Sequence, residues 1–497
     1  MEEDKKFFQT NWEFTKLSQA YFIGIDIGTQ GARVVMLDNL GNQLCTKEEV
    51  FSLNDQSREE QAPMQWWNSC LNSLKIMCSE MRSAVDLSRL KAIAVTSTSG
   101  TIIPIDRDNN PLHNAIMYSD PRSVIEADMC KSAAASAATK GYAAYNSSSG
   151  LPKMIWFINN YPGKIASLNK FIHAADFIAG KLCGNYQTTD YTNALKSGFD
   201  LHAFQWPEYI TLTLPIRKDW LQQVVSPGTP IGKLNDELVK ELGLSPNIII
   251  TAGMTDGCAS QIASGAVKIG DWNTTIGTTL VLKGVTRKEI EDPSGAIYCH
   301  RHPDGYWMPG GASNTGADWI SRLFNDQDID QLTNSVSKEI PSQFLAWPLM
   351  QKGERFPFVA PNATGFAPPD LTPVQLFTAY LEGVSYIERY AYERVIKLSG
   401  EEIKQVFTAG GGSKNDIWIK IRSAVLNLPL IKMKNVTGAA GAAILAASQT
   451  HFSSIVEAAG AMTQAEKLIT PDKSLVTAYE ESYPRFITLL KEKGYLP

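Results

Sequence analysis

The chain has 497 residues, 44% of them hydrophobic, enough for two large domains or about three average ones with well-filled cores. Its 46 Lys and Arg against 51 Asp and Glu leave a net charge of −5, so no global positive field recruits nucleic acid or an acidic membrane, and a phosphate ligand must be gripped locally. No apolar run reaches the roughly 18 residues needed to span a bilayer, and the N-terminus mixes both signs of charge without a signal peptide's apolar core, so a cytoplasmic globular protein is expected.

Residues 1 to about 19 read as a polar extension. Tyr21 to Asp38 (YFIGIDIGTQGARVVMLD) then reads as a hairpin with strands Phe22 to Ile27 and Arg33 to Leu37, joined by the turn Gly28-Thr29-Gln30-Gly31. Gly28 and Gly31 allow a tight, anion-binding concavity, Thr29 and Gln30 add donors, and Arg33 adds a positive charge. Asp26 ends the first strand; it repels phosphate and so reads as a ligand for a divalent cation. The plainer alternative is a Gly-turned hairpin with a surface Asp.

Gln43 to Ser52 continues the meander, and Met64 to Met81 places Trp66, Trp67, Leu74 and Met77 at helical spacing behind Pro63. Leu90 to Val95 is an apolar strand that breaks into Thr96 to Thr101, with Ile102 to Asp106 expected as its returning partner. The hydroxyls there suit a polyol or an ordinary turn equally. Asp120 and Arg122 fall in a loop after a short strand, and residues 133–150 look like an insertion. Leu151 to Asn160 and Lys170 to Leu182 have helical spacing, with His173 read as a satisfied core group. Asp190 to Asp200 reads as polar and turn-like. The seven scattered cysteines read as reduced, mostly buried thiols, and the His300/His302 pair reads as filling rather than a zinc site.

At Ile248 an apolar strand runs through Gly253 into a small-residue helix, placing Asp256 at the helix N-terminus. Asp271 to Lys283 then repeats the opening plan of strand, turn (Gly277-Thr278-Thr279) and strand, so the second half restarts the fold. Gly310 to Trp319 reads as the Gly-rich start of a helix and Phe377 to Leu398 as a long helix. Val406 to Thr408 is a strand ending in Gly410-Gly411-Gly412-Ser413-Lys414-Asn415, and Gly438 to Ala443 opens a helix suited to close packing. Neither GxxxxGK[ST] nor GxGxxG occurs, so two facing hairpins that clasp one triphosphate, with cleft closure excluding water, are the alternative to those phosphate loops.

Taken in order, the Asp26 hairpin, Ala252 to Gly257 (AGMTDG), Ile276 to Thr279 (IGTT) and the Thr408 to Asn415 glycine run resemble the FGGY carbohydrate kinases over roughly residues 20–450. Thr98-Ser99, Asp190 to Leu195, Gly310 to Gly316 and Gly353 to Pro357 are most similar to the D-ribulose kinases. Ser97 to Gly100 differs from the Gln-Met-His-Gly of D-xylulose kinases and the Asn-Gln-Arg-Glu of glycerol kinases, and Gln30 stands where ribulose kinases carry Ser. The resemblance implies an α/β fold of two actin/ribonuclease H-like domains of the sugar kinase and chaperone ATPase superfamily, facing across a cleft. Residues 20–267 would bind sugar and carry catalysis, and residues 268–497 would bind nucleotide.

The same resemblance implies ATP and Mg²⁺, with Asp256 as catalytic base and Asp26 at both metal and substrate. It implies Thr29, Gln30, Arg33, Gly277, Thr278 and Thr279 around the phosphates, Gly410, Gly411, Gly412 and Asn415 under the adenosine, and Ser99, Asp256 and Asp120, with Arg122, around the sugar. The implied reaction is D-ribulose to D-ribulose 5-phosphate, with D-xylulose or another sugar or polyol as alternative acceptors, in a monomer or homodimer with no nucleic-acid or membrane partner. A silent nucleotide-gated sensor on this scaffold would be expected to lack the base, yet Asp26 and Asp256 are both present.

Overall fold

The computed structural model describes residues 19–139 and 141–496, so the polar N-terminal extension lies almost wholly outside the described residues. Tyr21–Ile27 pairs antiparallel with Gly31–Asp38, with Asp26 opposite Arg33, and Gln43–Val50 adds the third strand. On its other edge Tyr21–Ile27 lies parallel to Leu90–Ser97, which is followed by Ile249–Thr255 and Pro230–Lys233 to complete six strands. The second half repeats this plan. Asp271–Ile276 turns antiparallel into Leu280–Gly284 and lies parallel to Gln405–Ala409 within a seven-stranded sheet.

Why YFIGIDI is apolar on both faces follows from what covers it. Tyr21, Ile23 and Ile25 pack with Trp66, Leu74 and Phe177 on one side. Phe22 meets Met254, Cys258, Ala439 and Ala443 on the other, as expected for a strand buried between two helical layers. The small-residue helix Gly438–Ala447 comes from the second half yet lies against the first sheet. Its approach depends on missing side chains: a Cβ on Gly24 would fall 1.8 Å from the Ala439 carbonyl oxygen, and one on Gly441 would fall 1.9 Å from that of Ala259.

The core of the second half is built on Pro373–Ser399, started by a Thr372/Gln375 capping box and ended by Gly400 at φ +67°. From this helix Glu388 accepts two hydrogen bonds from Arg422, at 2.7 and 2.8 Å, and Arg422 donates a third to Thr408 Oγ1 at 2.7 Å. All three side chains are buried. This ties down the strand that delivers the Gly410–Gly412 run.

Four expectations change. Ile102–Ile105 does not return along Leu90–Ser97, because both edges of that strand are already taken; Gly100, at φ +90°, redirects the chain into a separate four-stranded sheet. Lys170–His173 is a strand of that sheet, and the helix begins only at Ala174, where His173 and Asp176 form the cap. His173 is nevertheless the satisfied core group expected, within 3.1 Å of Asp176, Thr189 and Ser197. Gly310 and Gly311 lie in the strand Trp307–Ser313 rather than at a helix start; a Cβ on Gly311 would strike the Phe356 ring, so the glycine makes room for that ring. Asp190 to Ser197 is not a turn: Asp190 caps the short helix Tyr191–Ala194, a further helical turn spans Leu195–Ser197, and all but Lys196 are buried. The seven cysteines are free thiols, and no helix among the described residues is long and apolar enough to cross a membrane.

Candidate active site

Ile249–Thr255 delivers Asp256 as the first residue of the helix Asp256–Ala263, where Oδ1 accepts a 2.6 Å hydrogen bond from the Gly257 amide. The strand end is braced from below. Thr255 N–H donates to Thr192 Oγ1 at 2.9 Å, and that hydroxyl donates to Asp190 Oδ1 at 2.5 Å. Thr192→Val removes this brace without changing bulk, and because small misplacements of a reacting group are costly it should lower kcat by about tenfold to a hundredfold, with KM for the acceptor little changed in steady-state assays.

Asp256 is partly buried and opens onto a cavity of about 620 Å³ walled by both halves: Ser99, Tyr142, Asn146 and Lys196 from the first, and Lys283, Tyr298, His300 and Arg355 from the second. Ser99 Oγ and His300 Nδ1 are buried there without a hydrogen-bond partner, so each is available to a ligand. Burial raises the Asp256 pKa, against the Gly257 amide, Lys283 and Lys196, which lower it. Burial, and then the Asp256 charge, push Asp26 up to about 7, with Arg33 opposing. Asp26 therefore senses the Asp256 charge. A base works only when deprotonated, so activity should fall as pH drops through a limb above the ordinary carboxylate range, read from kcat/KM against pH.

Asp26 heads a second cavity, about 730 Å³, with Gly28, Thr29, Gln30, Gly31 and Arg33. Its Oδ1 is buried and unpartnered, and its Oδ2 sits beside Gly438 at the start of the small-residue helix, where a Cβ would fall 2.5 Å away. No cluster of three or more His, Cys, Asp or Glu among the described residues could hold a metal alone. One free carboxylate oxygen beside a glycine turn still fits Mg²⁺, which takes one or two carboxylates and completes its shell with phosphate oxygens and water. Arg33 lines this cavity but is paired with Glu48 at 2.8 Å on the exposed face, a weak link that a phosphate can displace.

A third cavity, about 550 Å³, is floored by Gly411, Gly412 and Asn415 and walled by Phe324, Phe377 and Trp418. Gly410 lies beneath it at φ +85°, where a Cβ would fall 2.5 Å from the Ile276 carbonyl oxygen, so the glycine run rests directly on the strand that leads to Gly277. Gly277 N–H closes its turn on Thr279 O at 2.9 Å, leaving Thr278 exposed at the tip. The Asn415 side-chain Oδ1 is occupied in capping, accepting from Trp418 N–H at 3.0 Å.

Asp120 does not line the Asp256 cavity. It is buried and accepts three hydrogen bonds from the Arg122 guanidinium, at 2.6 to 3.0 Å, and Arg122 also reaches Glu60 and stacks on Trp156. The Ala115–Ile116 strand pairs with Glu60–Gln61, which brings Glu60 to this ion network, while Tyr118 and Ser119 of the same loop line the Asp26 cavity. Lys196, Lys283, His300 and Arg355 line the Asp256 cavity without having been expected there. Lys283 carried a signal, since it is a lone charge inside the apolar run TLVLKGV.

Residues 21–263 match the FGGY family of carbohydrate kinases, N-terminal domain, and residues 272–450 match its C-terminal domain. The chain is 24% identical over 490 residues to a xylulose kinase of Staphylococcus epidermidis, covering 95% of this chain and 97% of that one. It is 24% identical over 501 residues to a gluconokinase of Bacillus licheniformis, covering 95% of each. Among solved structures, the gluconate kinase of Lactobacillus acidophilus superposes with a TM-score of 0.82 at 21% identity, covering 96% of this chain and 98% of that one. The glycerol kinase of Plasmodium falciparum with ADP superposes with a TM-score of 0.79 at 19% identity, covering 95% and 98%.

Proposed function

The chain belongs to the FGGY family of carbohydrate kinases, and from that premise we propose that it transfers the γ-phosphoryl group of ATP to a primary hydroxyl of an acceptor held in the Asp256 cavity. The acceptor oxygen attacks the γ-phosphorus and its proton passes to the Asp256 carboxylate. The bond from that phosphorus to the bridging oxygen breaks, and ADP leaves with the electron pair. Thr29, Gln30 and the Gly277 to Thr279 turn offer hydroxyl, amide and backbone donors to the phosphates. Gly411 and Gly412, walled by Phe377 and Trp418, give the adenosine an apolar slot. Asp26 would hold Mg²⁺, which supplies neutralisation of the charge on the transferring group.

The observation that carries this reading is a partly buried carboxylate at a helix start, opening onto a cavity between the two halves beside the unpartnered Ser99 hydroxyl. D-Ribulose is the acceptor suggested by the sequence motifs, and D-xylulose and gluconate follow from the names of the relatives. The test is ADP release by the purified full chain with ATP and a panel of pentuloses, hexuloses, polyols and sugar acids. The proposal requires release that depends on at least one acceptor. Binding without turnover across the whole panel would overturn it.

A further inference from the structure

The cavity around Asp256 is more positive than a neutral sugar requires. Lys196, Lys283 and Arg355 line it, and Asp256 is the only carboxylate among the lining residues. Neither lysine ammonium makes a hydrogen bond or ion pair with any described residue, yet Lys283 is only 9% exposed. Room is kept for that ammonium, since a Cβ on Gly257 would fall 2.7 Å from Lys283 Nζ. The Lys196 stem packs over Gly100, 3.4 Å from where a Cβ there would stand, which directs the chain across the Ser99 loop. Arg355 is anchored by Nε donating to the Ala312 carbonyl at 2.8 Å, leaving its terminal nitrogens for another group.

Lys283 is a buried cation without a hydrogen-bonded partner, which is costly unless a ligand completes it, while Lys196 is half-buried and Arg355 exposed. The phosphate turn at Gly28 to Gly31 and the Gly411-Gly412 slot open onto the other two cavities, so these three charges belong to the acceptor end of the cleft. We propose that the acceptor is a polyhydroxylated anion, carrying a carboxylate or phosphate away from the reacting hydroxyl, held by Lys196, Lys283 and Arg355. This rests on the kinase reading above and narrows it from neutral ketopentoses to acidic sugars.

The test compares kcat/KM for D-ribulose and D-xylulose, for D-gluconate and D-ribonate, and for fructose 6-phosphate, in the parent and in Lys196→Met and Arg355→Gln. Charge-assisted hydrogen bonds of this kind discriminate by about tenfold to a hundredfold. An anionic acceptor should therefore exceed both ketopentoses by at least about tenfold. Each variant should erode that preference mainly through KM. The carboxylate and phosphate arms identify which anion is held. A ketopentose equal to or better than every anion overturns the inference and leaves the kinase reading standing. A uniform fall in kcat for all acceptors in Lys196→Met overturns it by assigning the charge to the transferring phosphoryl group. No ADP with any acceptor overturns both.

Discussion

Asp256→Asn should lower acceptor-dependent ADP formation by about 10²- to 10⁴-fold, the range a positioned general base supplies, while ADP or an ATP analogue still binds. The substitution isolates the proton-accepting role. Asn keeps the shape and the Oδ1 that accepts from the Gly257 amide, so the helix start remains intact. It also removes a charge whose burial is unfavourable, as the raised Asp256 pKa shows, so the fold should be no less stable. Steady-state kinetics beside nucleotide titration separates the outcomes. Loss of both activity and nucleotide binding would mean that the residue supports the cleft rather than the chemistry.

The second large effect is on stability. Gly24→Val should cost about 3 kcal/mol, at the upper end of ordinary overpacking, because its Cβ would fall 1.8 Å from Ala439 O and 2.5 Å from Ala443 N. Those atoms are helix backbone and cannot rotate aside. The strain reaches the site, since the same helix touches the Asp26 strand through Gly24, lies beside the Asp26 carboxylate at Gly438, and meets the Asp256 helix through Gly441. The urea midpoint should fall with an unchanged slope, and activity should fall with it. A variant as stable as the parent would mean that this helix is not held where the two carboxylates need it.

Much of this was legible in the chain. Hairpins declare themselves by alternating apolar runs and turn residues, so the Tyr21 and Asp271 repeats and the position of Asp256 at a helix start could be read directly. The glycine run from Gly410 was likewise visible as a strand followed by a helix. Local pattern did not show which strand a segment would pair with. Ile102–Ile105 was apolar enough for any sheet, and only the occupied edges of Leu90–Ser97 exclude it. Asp120 shows the same limit for a site: its residue type suited sugar binding, but it is paired with Arg122, which also reaches Glu60 and Trp156, and it does not line the Asp256 cavity. Lys196 and Lys283 approach Asp256 from opposite halves of the sequence, and no spacing rule connects them.

The central claim is that the two halves present a nucleotide and one carboxylate to the same acceptor hydroxyl. A crystal structure of the chain with a non-hydrolysable ATP analogue and its best acceptor measures this directly. The account predicts adenine on Gly411 and Gly412, with the acceptor's primary hydroxyl at about 3 Å from the Asp256 carboxylate. An acceptor bound away from Asp256, or a nucleotide bound outside the cleft, would contradict it.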